Sequence, residues 1–416
     1  MSPETIAPSF LNFDSTSRRV RLNPRDADFF QNPYVAYAYL HRVSPTFFWE
    51  DYGFWCVSGF ETVNRLLRDR RFGRENRWGP PVNVIEGREH LSAFDAAERH
   101  SLLEREAPVH TRLRALVNRA FVSRQIERLR PRVEALAHEL VDRFDKDRRA
   151  DLLPAFATPI PVTVIAEMLG VPADMGPQLV AWSNRMVAMY MHRPTRDTQD
   201  DANAAARDFS AFLRGYIVQR RSDPGDDLLS LLISASETGE RLTEDELISS
   251  VILLLNAGHE ATVHQTGNAV KTILEQGGDP RRFVAAEADA AKAVEECLRF
   301  DAPLHMFTRY AYETVEIEPG VVVPPGESVG LLLGAANSDP AAFVDPRRFD
   351  PDRPDQKNVS FGAGIHFCIG APLARLEMQV ALKVLFERLP GLSLAQPPRY
   401  RDGFHFHGLE RLVCVW

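Results

Sequence analysis

The strongest constraint in this sequence is a helix that has to pass through the interior of the fold. Leu242-Thr243-Glu-Asp-Glu246 has the form of a capping box, with Thr243 as N-cap and Glu246 at the third helical position. The helical pattern then runs on until Gly277-Gly278-Asp279-Pro280 stops it. About 33 residues at about 1.5 Å each make roughly 50 Å, longer than most helices in globular proteins. Its middle, Val251–Leu255, is apolar on every side, which a surface helix does not tolerate. Within that span stands Asn256-Ala-Gly258-His-Glu260-Ala-Thr262. Gly258 costs about 1 kcal/mol relative to alanine in a helix interior, a cost that close approach of the helix to a flat cofactor face would offset. Glu260 sets an acid in the buried stretch, where charge is costly without partners or water. Such a group is a candidate proton relay.

A second stretch is as informative: Phe361-Gly-Ala-Gly-Ile-His366-Phe-Cys368-Ile-Gly370. Its cysteine sits among glycines just ahead of a helical pattern (Pro372, Leu373, Leu376, Val380, Leu385). A thiolate forms readily where backbone N–H groups and a helix N-terminus converge. Gly362, Gly364 and Gly370 leave room for something flat and large to approach the backbone. A thiolate so presented suits axial ligation of haem iron, whereas the bland alternative is a small buried cysteine in a turn. From Phe361 to Gly370 the chain resembles, at every defining position, the haem-binding loop of the cytochrome P-450 monooxygenases. The resemblance implies a mainly α fold with a minor β region, and a long oxygen-binding helix over the haem. It also implies Cys368 as the metal ligand, with Phe361, Gly362 and Gly370 shaping the cofactor loop.

Further motifs fall in the order that this resemblance requires. In Glu106-Ala-Pro-Val-His110-Thr-Arg-Leu-Arg114, His110 and Arg114 are four apart and share a helical face. The segment resembles the family's helix for the haem propionates. Glu106-Ala107 stands where Asp-Pro is usual, a departure expected to matter little. Arg309 and His366 match the family's other propionate contacts. Asn256–Thr262 is similar to the oxygen-activation motif, but Ala261 occupies the usual threonine position and Thr262 follows it. Protons would then be delivered by Glu260 with Thr262, by ordered water, or by a substrate hydroxyl. Glu296 and Arg299 lie three apart on one helical face, and Arg353 is the third member of the family's Glu/Arg/Arg triad.

The remainder of the chain fits one domain spanning residues 1–416. A β-containing part lies at about 30–75, a helical body at about 105–300, and strands with the cysteine loop at about 310–416. Thr46–Trp49 and Phe54–Val57 read as a hairpin around Asp51–Gly53, followed by a helix over Glu61–Arg68. Residues 72–104 lack helical period and read as a long loop, which in relatives caps the substrate pocket. The apolar positions from Ile126 to Phe144 keep a 3.6 period that Pro131 interrupts. Residues 156–222 read as helical apart from an interruption at His192–Asp201, next to Met186, Met189, Tyr190 and Met191, which are either core or a lid. Val315–Glu318, Val321–Val323 and Val329–Leu333 read as short strands. Ala302–Phe307 and Phe404–His407 correspond to pocket-lining segments. His259 and His264, five apart, suit packing or pocket lining better than metal ligation.

With a net charge of −8 and 25% charged residues, nothing global favours nucleic acid or an anionic membrane. No run approaches the roughly 18 to 20 apolar residues of a membrane span, and the first twenty residues lack the apolar core of a signal peptide. A cytoplasmic, bacterial-type protein is expected. Cys56, Cys297 and Cys414 lie in apolar patterns and read as core, without disulfides.

The resemblance implies one haem b (iron protoporphyrin IX) per chain and insertion of one atom of O2 into a C–H or C=C bond of a medium-sized hydrophobic substrate. Electrons would come from a separate ferredoxin with its reductase, docked on basic residues such as Arg112, Arg119 and Lys357. Two other readings are a peroxide-driven haem-thiolate peroxygenase and a non-enzymatic haem gas sensor or carrier. The first calls for Arg-Pro where Glu260-Ala261 stands; the second has no use for a pocket-capping loop or a buried acid.

Overall fold

A computed structural model describes residues 7–78, 87–119, 121–237 and 242–416. The long helix spans Glu244–Glu275 and opens with the expected capping box: Thr243 Oγ1 accepts from the Glu246 N–H at 3.2 Å, and Glu246 Oε2 accepts from the Thr243 N–H at 2.9 Å. It packs against helices Ser92–Arg99, Pro159–Met168, Gly176–Val187, Glu287–Phe300 and Ala371–Arg388, inside the largest apolar core. Most of its residues from Leu247 to Ile273 are buried, as its all-round apolar middle requires. Gly258 lies against one of these neighbours: a Cβ there would stand 2.9 Å from Ile165 Cγ1. The glycine lets two helices approach closely, so its cost is offset by helix packing and not, as expected, by a cofactor face.

The β region is small. Its main sheet has seven strands in the order Asn12–Asp14, Arg19–Arg21, Thr46–Trp49, Phe54–Val57, Ser328–Leu331, Phe307–Ala311, Phe72–Gly73. Thr46–Trp49 and Phe54–Val57 form the expected antiparallel hairpin, and Ser328–Leu331 adds in parallel to its second strand. This topology sets Phe307–Ala311, and with it Arg309, one strand further in. Phe60–Arg68 is helical, and the 126–144 region divides into Ser123–Glu127 and Arg130–Asp142, with Pro131 in the first turn of the second helix. The interruption after residue 187 is shorter than expected, because helix Arg196–Ser222 already starts at Arg196 with Thr195 as N-cap. Among the described residues no helix is long and apolar enough to cross a membrane.

A further expectation fails. Residues 72–104 are not a continuous loop, because Ser92–Arg99 is an α-helix that buries Phe94, Asp95 and Ala97. Its three alanines favour helix without marking a face, and two apolar anchors are too few for a visible period. Residues 79–86 of that stretch lie outside the described residues.

The cysteine loop rests on a buried ionic knot. Arg299 donates to both Glu296 oxygens at 2.8 and 2.7 Å, and Arg353 Nε and the Asp350 N–H donate to Oε1 at 3.0 and 2.9 Å. Arg299 also donates to the carbonyls of Asn337 and Pro346. The Asn337 amide in turn holds the Val359 N–H at 2.8 Å and the Ser360 hydroxyl at 2.7 Å, directly before Phe361. In the loop, Gly362 and Gly364 have φ of +68° and +72°. A Cβ on Gly364 would lie 2.4 Å from the Leu67 carbonyl oxygen. Gly370 differs: its φ is −81°, and a Cβ there would meet only Cys368 Sγ at 3.9 Å.

Two predictions follow from this packing. Gly364→Ala combines a left-handed backbone with a backbone clash, so it is expected to cost about 2 kcal/mol or more in chemical denaturation; an unchanged midpoint contradicts the geometry. Glu377, on helix Ala371–Arg388, is buried with both carboxylate oxygens unpartnered among the described residues, and burial pushes its pKa well above 4.5. The folded protein holds that proton more tightly than the unfolded chain, so its contribution to stability declines as pH rises above the ordinary carboxylate range. Glu377→Gln is therefore expected to lose less stability than the parent between pH 5 and 8, read as urea midpoints. Parallel pH dependence of the two proteins refutes this.

Candidate active site

Cys368 lies between the turn Gly364–His366 and helix Ala371–Arg388, with its N–H donating to the Phe361 carbonyl at 3.0 Å. Its side chain is exposed, whereas Cys56, Cys297 and Cys414 are buried. Burial pushes the thiol up, opposed by the N–H groups of Gly370 and Ala371 and by the charges of Arg114 and Arg375. Those groups favour thiolate over thiol. Phe361 braces the loop, its ring under the Arg375 guanidinium at 4.6 Å and edge-on to Phe367.

Around the loop stand the four nitrogen-bearing residues that the sequence singled out. Arg309 is 4% exposed and donates only to the Thr308 carbonyl at 2.8 Å, with no ion pair among the described residues. Burial, then the nearby Arg74, lowers its pKa to about 9, with Glu106 and Glu104 partly offsetting them. His110 is buried and its Nε2 has no partner among the described residues. Burial and the charges of His366 and Arg114 bring its pKa to about 4. Its ring lies 4.4 Å from that of His366, and Arg114 donates to the Phe367 carbonyl at 2.5 Å.

Glu106 is more consequential than the sequence suggested. Its Oε1 accepts from His366 Nε2 at 2.8 Å and from the Arg74 N–H at 2.8 Å. Burial would raise this carboxyl, but the bonds from His366 and Arg74 hold it below the usual range. His366 therefore already has an acid on one ring nitrogen. The only sequence signal for this role was the departure itself, an acid one methylene longer than the usual aspartate.

The long helix has an accessible stripe in its middle. Ala257 is exposed and Leu253, Gly258, Glu260, Ala261 and Val263 are half-buried, while Thr262 is buried and turned about 100° from Ala261. Glu260 is paired: Oε1 accepts from His264 Nε2 at 2.9 Å and from Arg401 at 3.2 Å, and His259 Nε2 is 3.9 Å from Oε2. Burial alone would raise its pKa, but the His264 bond and the charges of His264, Arg401 and His259 outweigh it and hold the carboxyl at about 2. His259 Nδ1 donates to the Leu255 carbonyl at 2.8 Å. Among the described residues no group of three or more His, Cys, Asp or Glu could hold a metal ion.

The expected pocket-lining segments divide. Leu304 and Phe406 pair across a β-bridge and, with Phe307 and His405, stay accessible. His305 is instead buried and bonded to the Tyr37 hydroxyl at 2.8 Å, His407 lies 3.3 Å from Asp301, and the Phe404 ring packs 5.0 Å from Phe29. These three belong to the scaffold. Of the cations expected to dock a redox partner, Arg112 is bound to Glu246 at 2.5 Å and Lys357 lies 3.0 Å from Asp355.

The donor set suits a flat, metal-centred dianion: a thiol among N–H groups, and buried cationic or N–H-bearing side chains without an anion of their own. Comparison with known proteins agrees. A family profile described as Cytochrome P450 matches residues 290–393. Cytochrome P450 107B1 of Saccharopolyspora erythraea is 40% identical over 370 residues, 86% of this chain and 88% of that protein. The 6-deoxyerythronolide B hydroxylase of the same organism is 38% identical, covering 91% of this chain and 95% of its own. The crystal structure of P450BioI in complex with an acyl carrier protein ligated to hexadec-9Z-enoic acid superimposes with a TM-score of 0.87 at 34% identity, covering 94% of this chain and 100% of that one. The chain belongs to the cytochrome P450 family, the haem-thiolate monooxygenases.

Proposed function

We propose that residues 1–416 form a single catalytic domain holding one haem b between the Cys368 loop and the Leu253–Ala257–Ala261 face of the long helix. Cys368 Sγ would ligate the iron; the N–H groups of Gly370 and Ala371 and the charges of Arg114 and Arg375 favour its thiolate against burial, which pushes the thiol up. His110, Arg114, Arg309 and His366 would receive the two propionates, with Glu106 orienting His366. The observation that carries this reading is Arg309, a buried guanidinium with no carboxylate of its own among the described residues. A buried charge of this kind is stable only with a partner. When bound, thiolate-ligated haem supplies O2 activation, with one oxygen atom entering the substrate and the other leaving as water.

Glu260 governs protons on the open side of the helix. Because Ala261 rather than Thr262 faces the accessible stripe, ordered water is the route that best fits, with Thr262 supporting the helix behind it. The accessible Leu304, Phe307, His405 and Phe406 favour a medium-sized hydrophobic substrate with some polar groups. No segment resembles a flavin, nicotinamide or iron–sulfur module, so a separate ferredoxin and reductase in the cytoplasm is the electron source that fits.

The test is haem retention. Arg309→Leu is expected to weaken haem binding by about tenfold or more, read as the haem-to-protein ratio after desalting. Cys368→Ser should abolish the thiolate-type absorbance of the reduced, carbonyl-bound protein. An unaltered spectrum in the serine variant refutes the ligand assignment. Glu260→Gln should keep haem and substrate affinity while turnover falls by about 100-fold and a solvent isotope effect appears; unchanged turnover removes Glu260 from the proton route.

A further inference from the structure

A charged cluster intrudes between the helices over the pocket and the strand that carries Arg309. Helix Ser92–Arg99 brings Glu98 to Tyr190, in the turn Ala188–Tyr190 that follows helix Gly176–Val187. The Tyr190 hydroxyl donates to Glu98 Oε1 at 3.0 Å. Among the described residues this is the one hydrogen bond of the Glu98 side chain, which has no ion pair there. Beside it, Arg74 is ion-paired to Glu104, and the Arg74 Nε is buried without a partner among the described residues. The remaining charged neighbour, Asp95 on the same helix, is bound to Arg88 at 2.5 Å. The charge of Arg74 also reaches Arg309 and His405, which places the cluster over the cofactor side.

Glu98 and Tyr190 are half-buried, and the cluster is tied to the cysteine loop through Arg74, whose N–H donates to Glu106, the acid on His366. Glu104 is ion-paired with Arg74, and Arg309, which both of them reach, is assigned to a propionate in the reading above, so Glu98 is left without a cation of its own. An enclosed carboxylate without its own cation is unfavourable, and burial with the adjacent Glu104 pushes Glu98 up to about 7. A ligand cation meeting Oε2, with the Tyr190 ring beside it, would complete the site.

We propose that Glu98, held by Tyr190, is a substrate-binding residue that takes a cationic amine, so that the enzyme oxidises hydrophobic molecules bearing a basic nitrogen. The proposal rests on the reading above that substrate binds on the cofactor side, beside Leu304, Phe307, His405 and Phe406. The groups that set the charge of Glu98 are Glu104, Arg74, Asp95 and Tyr190. Glu98 ionises more fully as pH rises from 6 to 8, so cation binding strengthens over that range.

The holoprotein is to be titrated with an alkyl chain ending in trimethylammonium and with its neutral tert-butyl counterpart, at pH 6 and pH 8. Binding is read by equilibrium dialysis together with the haem spin state. The quaternary nitrogen has no lone pair, so it cannot ligate iron and keeps its charge at both pH values. The cation is expected to bind about tenfold or more tightly than the neutral ligand at pH 8, with a smaller preference at pH 6. Glu98→Gln should abolish the preference, and Tyr190→Phe, which keeps the carboxylate, should weaken it. Equal affinity for the two ligands, a preference that survives Glu98→Gln, or no binding of the cation overturns the proposal. Failure of the haem-thiolate reading itself would show separately, as a reduced, carbonyl-bound protein without thiolate-type absorbance.

Discussion

The carboxylate of Glu296 is the tie on which the cofactor side of the molecule depends. Both its oxygens are taken up by buried donors from two arginines and one backbone N–H, and Arg299 passes the connection on to Asn337 and thence to Val359 and Ser360. Burying an acid with two arginines costs several kcal/mol per ion, offset only when the geometry is good and the remaining donors are used. Here they are, since Arg353 also donates to the carbonyls of Val344, Asp345 and Arg348. The knot joins helix Glu287–Phe300 to the loop before Phe361, where the Val359 carbonyl accepts from the Gly362 N–H at 2.8 Å, so the ionic groups set the glycine turn and its thiol at one remove.

Against that rigid side lies a pocket whose electrostatics are left open by design of the sequence. Arg309 and the Nε2 of His110 are buried without an anion, while Glu98 is enclosed without a cation. Low local polarity makes each of these expensive alone and selective with the right partner. The two halves therefore ask for opposite charges: carboxylates at the Arg309–His110 end and a cation beneath helix Ser92–Arg99. Glu106 and Arg74 stand between them, Glu106 bonded to His366 and Arg74 to Glu104, and their charges reach Arg309 as well.

Much of this could be read from the chain because it depends on local spacing. The capping box at Thr243, the 46–57 hairpin, the break near Pro131 and the triad of Glu296, Arg299 and Arg353 are each encoded within a few residues or by a motif of fixed order. What escaped depends on distant pairing. Ser92–Arg99 is helical because Phe94 and Ala97 meet the main core, not because of its own period. Glu106 finds His366 across 260 positions, and Glu260 finds Arg401 across 141.

By itself, then, the sequence determined the long buried helix, the cysteine loop, the family and the order of its motifs, since these follow from residue type and short-range periodicity. Only the tertiary structure decided that Gly258 serves helix packing against Ile165, that Ala261 rather than Thr262 faces the accessible stripe, and that His305 and His407 belong to the scaffold. The reason is physical. Which way a side chain faces, and which charge it meets, is fixed by segments far away in the chain, whose approach no local pattern records.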